Sequence, residues 1–239
     1  MPSVRRLISQ MGIVLVSSAF ETFVTDAISE HSRYSGFCGK PTATRAQSIE
    51  DEESGDPLRS LYGSLRWDIQ PIEYLLPLYD FFTLSRNCVV HRSGRANGAL
   101  LHHRHSAILR KCLDNWPSRP GKKIPQLPPV EKGQDITFLP RHAILFSEVC
   151  QRAAIEIDSQ LVRFLGVEGT VYMAAYHSLL ADNRVLLGAR RSPEQVVNLM
   201  LTERCHVRVT DNYEVIAALK KLGVWSRCRS RYGSLYAKK

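Results

Sequence analysis

No C-x-x-C pair occurs in the chain, although it holds six cysteines, at positions 38, 88, 112, 150, 205 and 228. That absence speaks against a zinc knuckle, and the wide scatter speaks against a compact disulfide scaffold. Cys88 and Cys150 fall inside apolar helical patterns and read as buried thiols, so a reducing, cytoplasmic setting is expected. Period-two alternation is equally scarce. Only "CHVRV" at 205–209 reads as a single strand or a loop, which excludes a mainly β fold. Internal repeats and low-complexity tracts are missing too. No uninterrupted apolar run reaches the roughly 20 residues that span a bilayer. The N-terminus does imitate a signal peptide, with Arg5-Arg6 before "MGIVLVSSAF". No small-x-small cleavage site follows, and Glu21 arrives while the apolar pattern runs on through Phe23, Val24, Ala27 and Ile28. A core helix is expected there, and no membrane partner.

Acid is missing from one end. The last twenty residues hold seven basic groups and no carboxylate side chain. The whole chain carries 32 Lys+Arg against 23 Asp+Glu, a formal charge of +9. Residues 1–120 account for 14 basic and 12 acidic groups, a balance of +2, and residues 121–239 for 18 and 11, a balance of +7. Such asymmetry points to a polyanionic partner, nucleic acid or an anionic membrane surface; a solubility tail explains the C-terminal run equally well.

Helical periodicity organises the rest, and an all-α fold is expected. A first helix is predicted over 3–30, then a loop over 32–57, then a short helix near 57–65. The next helix begins around Asp68, with Pro71 in its first turns, and carries Ile72 through Val89 to a left-handed stop at Gly94. A helix over 99–114 follows. Residues 116–140 contain six prolines and cannot be regular helix. After them, "RHAILFSEVCQRAAIEIDSQLVRFLG" predicts a long helix ending at Gly166. Ser192-Pro193 and Thr210-Asp211 open two further helices.

The stretch "FFTLSRNCVVHRSG", residues 81–94, ends an apolar helix on Arg86, Asn87, His91 and Arg92. An Arg-x4–6-His pair is weak by itself, and Arg95/His102 supplies a second one. That second pair straddles the Asn97-Gly98 turn, whereas Arg86 and His91 share the last turns of one helix. At about 100° per residue they lie some 140° apart, while Asn87 and His91 share a face. To act with the imidazole, either Arg86 reaches round with its long side chain or the helix distorts, or the site borrows groups from a second copy of the helix.

"LSRNCVVHRSG" at the end of an apolar helix resembles the R-N-x-x-x-H motif of the HEPN superfamily. "VLVSSAFETFVTDAI" resembles that family's opening helix, and "LFSEVCQRAAIEIDSQLVRFLG" its closing one. The likeness covers residues 1–166 and implies an antiparallel HEPN-type helical bundle. Residues 167–239 would form a basic, mainly helical C-terminal extension. By resemblance the chain is a metal-independent endoribonuclease, a toxin or antiviral defence effector that needs no cofactor. It would act as a homodimer with a composite site, with an antitoxin or regulatory protein as a further partner. His91 would be the general acid/base in attack of a ribose 2′-hydroxyl on the adjacent phosphate. Arg86 would stabilise the phosphorane charge, and Asn87 would orient His91 or touch the phosphate. Arg92 and Arg95 are candidates for holding RNA, and Glu21 for a carboxylate that contacts Arg86 or orients His91.

Other readings stay open. The same scaffold without catalysis would be an RNA-binding or regulatory protein. The helices opened at Ser192 and Thr210 allow a DNA reader, although six residues separate them. The tail "WSRCRSRYGSLYAKK" interleaves Trp225, Tyr232 and Tyr236 with basic groups, a composition suited to single strands. His102 and His105 share a helical face, but no nearby acid completes a metal site.

Overall fold

The computed structural model describes residues 4–39, 56–116, 125–181 and 191–236. Among the described residues it is helical, with a single isolated bridge between Arg95 and Asp135 and no longer strand. The helices are α1 (Val4–Phe37), α2 (Pro57–Leu65), α3 (Leu76–His91), α4 (Gly98–Arg104), α5 (Ala107–Asp114), α6 (Pro140–Ala175), α7 (Pro193–Cys205), α8 (Asn212–Lys221) and α9 (Trp225–Tyr236). Two compact units emerge. The first comprises residues 1–28 and 43–159, and the second residues 29–42 and 160–239.

In the first unit, apolar positions at helical spacing build the core. Phe20 and Val24 of α1, Leu58 and Leu61 of α2, Leu78, Phe81 and Phe82 of α3, and Phe146 and Val149 of α6 are buried together. Phe82 stacks on Phe146 with ring centroids 4.9 Å apart, and Phe20 meets Tyr79 edge-on at 5.7 Å. Each large side chain removed from water contributes roughly 1.5–3 kcal/mol. Cys88 and Cys150 lie inside this core as free thiols, and burial pushes the Cys150 thiol up to about 12.

In the second unit Phe37 stacks on Tyr172 at 4.0 Å and His31 on Phe164 at 3.8 Å. Glu30 joins His177 at 2.9 Å and Arg204 at 2.8 Å. Burial opposes ionisation of that carboxyl, yet the two cations hold it below the usual range. The Ser192 N–H donates to Gln195 at 2.9 Å and opens α7, and Asp211 accepts from the Tyr213 N–H at 2.8 Å to open α8. Between them "CHVRV" forms no strand, and Asn198 of α7 holds the turn by donating to Val209 O and Asn212 Oδ1.

Several expected boundaries move. α1 runs on to Phe37, past the expected end at residue 30; the remainder of the predicted 32–57 loop, residues 40–55, lies outside the described residues. Asp68 accepts from the Gln70 N–H at 3.0 Å just ahead of a 3-10 turn at Gln70–Ile72, and α3 begins afresh at Leu76 because Pro77 suits a first turn. The helix expected over 99–114 divides where the Ser106 hydroxyl accepts from the Leu109 N–H and starts α5. The expected break at Gly166 is present inside α6: its φ 58 and ψ −167 are not helical, so one helical stretch ends there and a second runs on to Ala175. Residues 125–139 carry no helix, as their prolines require, and residues 117–124 lie outside the described residues. By length and composition alone, Arg6–Phe37 is apolar enough to cross a membrane, with a mean hydropathy of 1.6 over its best window. The apolar run is still interrupted by serines, threonines and Glu21, as the sequence shows; the mean stays high because Ile, Val, Leu and Phe dominate it. One face of this helix, through Ile13, Phe20 and Val24, is buried in the first unit.

His142 generates a testable consequence. Its ring is buried, and Nδ1 accepts the Leu139 N–H at 3.0 Å at the start of α6. Burial, aided by Arg141, lowers its pKa from 6.5 to about 4. Between those two values the unfolded chain binds the proton and the folded chain does not, so falling pH destabilises the fold across that window. The loss should reach about 2 kcal/mol below pH 4, allowing for partial screening. His142→Asn, whose amide oxygen can replace Nδ1 as acceptor, should flatten this part of a urea-denaturation profile measured against pH.

Candidate active site

Packing sets the rotation of α3 about its own axis. Leu78, Phe81, Phe82, Ser85 and Cys88 turn inward, which leaves Arg86 and Asn87 half-buried and His91 and Arg92 exposed on the other side. All four, with Glu21 of α1, line one cavity of about 680 Å³. Glu21 and Arg86 also border a second depression with Ser18, Thr22, Thr25 and Asp26 of α1.

Arg86 bends toward its neighbour Asn87 and makes no hydrogen bond to His91. Its Nη1 donates to Asn87 Oδ1 at 3.1 Å, which draws the guanidinium toward the face that Asn87 shares with His91. The amide oxygen thus holds Arg86 and not the imidazole. Arg86 Nε is a buried donor with no hydrogen-bond partner. Glu21 lines the cavity beside Arg86, yet its Oε1 accepts from Ser17 Oγ at 3.0 Å. Among the described residues no side chain hydrogen-bonds His91.

Arg95 stands apart. It does not line the cavity; its side chain is 71% exposed, and its Nε lies 4.0 Å from Asp135 Oδ1. Arg6 donates to the same carboxylate at 2.7 Å and holds it below the usual carboxylate range. The isolated bridge explains the divergence. Ile136 N–H donates to Gly94 O and Ala96 N–H to Gln134 O, both at 2.9 Å, so residues 94–96 are drawn onto the 133–136 segment.

Four groups in the cavity, Arg59, Asp80, Asp56 and His103, carry no signal in the helical motif itself. Arg59 of α2 donates to both oxygens of Asp80, at 2.6 and 2.9 Å, and also meets Asp56. The Asp80 hydrogen bond is the main reason that Arg59's pKa is raised. Asp56 caps α2 as well, accepting from the Leu58 N–H at 3.0 Å. His103 of α4 sits with Nε2 at 2.7 Å from Pro77 O; a carbonyl only accepts, so Nε2 carries the proton. His102 and His105 are exposed. Among the described residues no three of His, Cys, Asp or Glu converge as metal ligands. The capping pattern Asp56-Pro57 was the one legible signal; the other partners meet only across helices.

This arrangement can receive an anion. It presents two cations, one of them with an unused donor, beside an exposed imidazole. Comparison with known proteins finds no matching family model, no matching curated protein and no matching solved structure.

The turn after His91 depends on Gly94. Ser93 takes φ 53 and Gly94 φ 83, and the Gly94 N–H returns to Cys88 O at 2.9 Å. The left-handed stop expected at Gly94 is thus shared with the residue before it. A Cβ on Gly94 would come within 2.5 Å of Gln10 Nε2. Gly94→Ala should cost about 1–3 kcal/mol in urea denaturation, chiefly for the left-handed backbone.

Proposed function

We propose that this chain is a metal-independent endoribonuclease of the HEPN type, acting as a homodimer. The observation that carries the reading is the convergence of Arg86, Asn87, His91 and Arg92 on one cavity at the end of α3. RNA brings its own nucleophile. His91 takes the proton from a ribose 2′-hydroxyl as that oxygen bonds to phosphorus, and the bond from phosphorus to the 5′-oxygen breaks. The leaving oxygen takes a proton from a general acid, and the products carry a 2′,3′-cyclic phosphate and a 5′-hydroxyl. Arg86, held by Asn87, stabilises the charge on the phosphorane, and Arg92 seats the neighbouring phosphate. Arg95, outside the cavity, serves at most a more distant phosphate. Glu21 acts on the charge around Arg86 and not on His91.

Two proton transfers call for more than a lone imidazole, and the second comes from another copy. α1 offers a surface for it. Val4, Leu7, Ile8, Met11 and Leu15 lie within about 100° of one another on the side opposite Ile13 and Phe20, and their exposure runs from 47% at Met11 to 74% at Val4. They leave on the order of 500 Å² of apolar surface uncovered, much of the about 800 Å² that one partner of a stable complex contributes. The same face continues through Ser18 and Thr22 into the depression bordered by Arg86. A second copy seated there would bring two sites near each other. Six free cysteines fit a reducing cytoplasm, where such an enzyme would be a toxin or defence effector restrained by an antitoxin or regulatory protein.

Incubated with mixed RNA in EDTA, the wild type should cleave and leave cyclic phosphate ends. Arg86→Ala and His91→Ala should each lower the rate by 10²-fold or more, and Asn87→Ala by less. A folded wild type that cleaves no RNA would favour the non-catalytic reading, to which an imidazole with no orienting partner already lends weight. Ile8→Glu with Leu15→Glu should shift the light-scattering mass from dimer to monomer and reduce cleavage with it. A wild type that is monomeric in solution, or that floats with lipid vesicles through α1, would sink the dimer.

A further inference from the structure

We infer that the exposed side of α9 is a docking surface for the phosphate backbone of single-stranded RNA, separate from the cavity at the end of α3. Val224 and Cys228 are buried, and Trp225, Tyr232 and Leu235 are half-buried, so one side of α9 faces its own unit. Tyr232 is tied down further, because its hydroxyl donates to Arg191 O. Trp225 and Tyr232, two of the aromatics that the sequence offers as a stacking platform, therefore serve largely as anchors. What remains outward is Ser226, Arg227, Arg229, Ser230, Arg231 and Ser234, all exposed.

Helical geometry gives this side a pattern. Arg227 and Arg231 are four residues apart and flank one edge, about 5–6 Å from each other. Arg229 flanks the opposite edge, and Ser226, Ser230 and Ser234 run between them at successive turns. The Ser234 hydroxyl donates to Arg231 O at 2.7 Å, so a chain of phosphates laid along this side would find hydroxyl donors at Ser226 and Ser230, with guanidinium groups on both sides. Arginine is the suited residue, since its fork donates two parallel bonds to a phosphate. From Leu222 to Lys239 the sequence holds no Asp or Glu to repel the strand.

The same pattern argues against lipid. A helix that lies in a membrane surface presents Trp, Phe or Leu outward to sink among the acyl chains, whereas this one presents serine. Serine hydroxyls and guanidinium groups can meet phosphate oxygens whatever base is attached. The grip is on the backbone and tolerant of sequence.

The test uses the full chain carrying His91→Ala, so that binding is read without cleavage. Anisotropy of a short labelled single-stranded RNA is followed against salt, beside Arg227→Ser/Arg229→Ser/Arg231→Ser and the corresponding triple Lys variant. The serine variant should bind about tenfold or more weakly, with a salt slope shallower by about 2, at about 0.7 for each phosphate no longer neutralised. The lysine variant should keep the slope. Should the serine triple fail to melt cooperatively, Arg227→Ser and Arg229→Ser alone decide, each removing about 0.7 from the slope. Unchanged affinity and slope in the serine variants would overturn the proposal. So would tighter binding to anionic phosphatidylglycerol vesicles or to polyglutamate than to RNA. The ribonuclease reading fails separately: a wild type that binds RNA with the full slope but never cleaves it refutes that reading and leaves this one standing.

Discussion

The stack of Phe82 on Phe146 determines which way α3 faces, and the candidate site follows from that orientation. With Leu78, Phe81, Phe82, Ser85 and Cys88 committed to the core, the helix has no freedom to rotate about its axis. A turn of 100°, one residue's worth, would bury His91 or Arg86 and expose phenylalanine, at a cost of several kcal/mol. The cavity is thus a by-product of core packing. Its polar wall is whatever α3 could not bury, framed by Glu21, Arg59 and His103 from the helices around it.

Charge inside that cavity is partitioned, not simply positive. Arg59 is occupied by Asp80 and Asp56, so its cation is neutralised locally and its work is to tie α2 to α3. Arg86 is held by a neutral amide and keeps its charge for a ligand. Asp135 likewise engages Arg6 and stands beside Arg95 at the outer turn. Among the described residues, Arg86 and Arg92 face the cavity with no ion pair to a carboxylate, although Glu21 lines the same wall. With Glu21, Asp56 and Asp80 balancing the three arginines of the lining, a phosphate entering there would meet positive charge locally, at Arg86 and Arg92.

The second unit uses its basic groups differently. Arg204 is paired to Glu30 and Lys221 to Glu168, which stabilises the unit. The arginines of α9 sit on a side with no acid of that helix's own. The proposed catalytic groups belong to one unit and the proposed backbone grip to the other, an arrangement that would let cleavage and binding strength be tuned separately.

Local signals in the chain determined a good deal by themselves. The caps at Asp56, Asn97, Ser106 and Asp211 act within three residues, and prolines at 57, 77, 140 and 193 permit helix starts and nothing further inward. The all-helical character and the cluster Arg86, Asn87, His91 were readable for the same reason, since helical spacing is a property of neighbours. Tertiary structure alone decided the remainder. Residues 21, 59, 80 and 103 come from four different helices, and no spacing rule relates them. Arg95 is only four residues from His91, yet it leaves the cavity because the 133–136 segment pulls its backbone away. Asn87 turned to Arg86 because a long guanidinium can bend round a helix that an ideal wheel draws as rigid. Contacts between distant parts of a chain depend on where packing places the backbone, and packing is settled by the whole core at once.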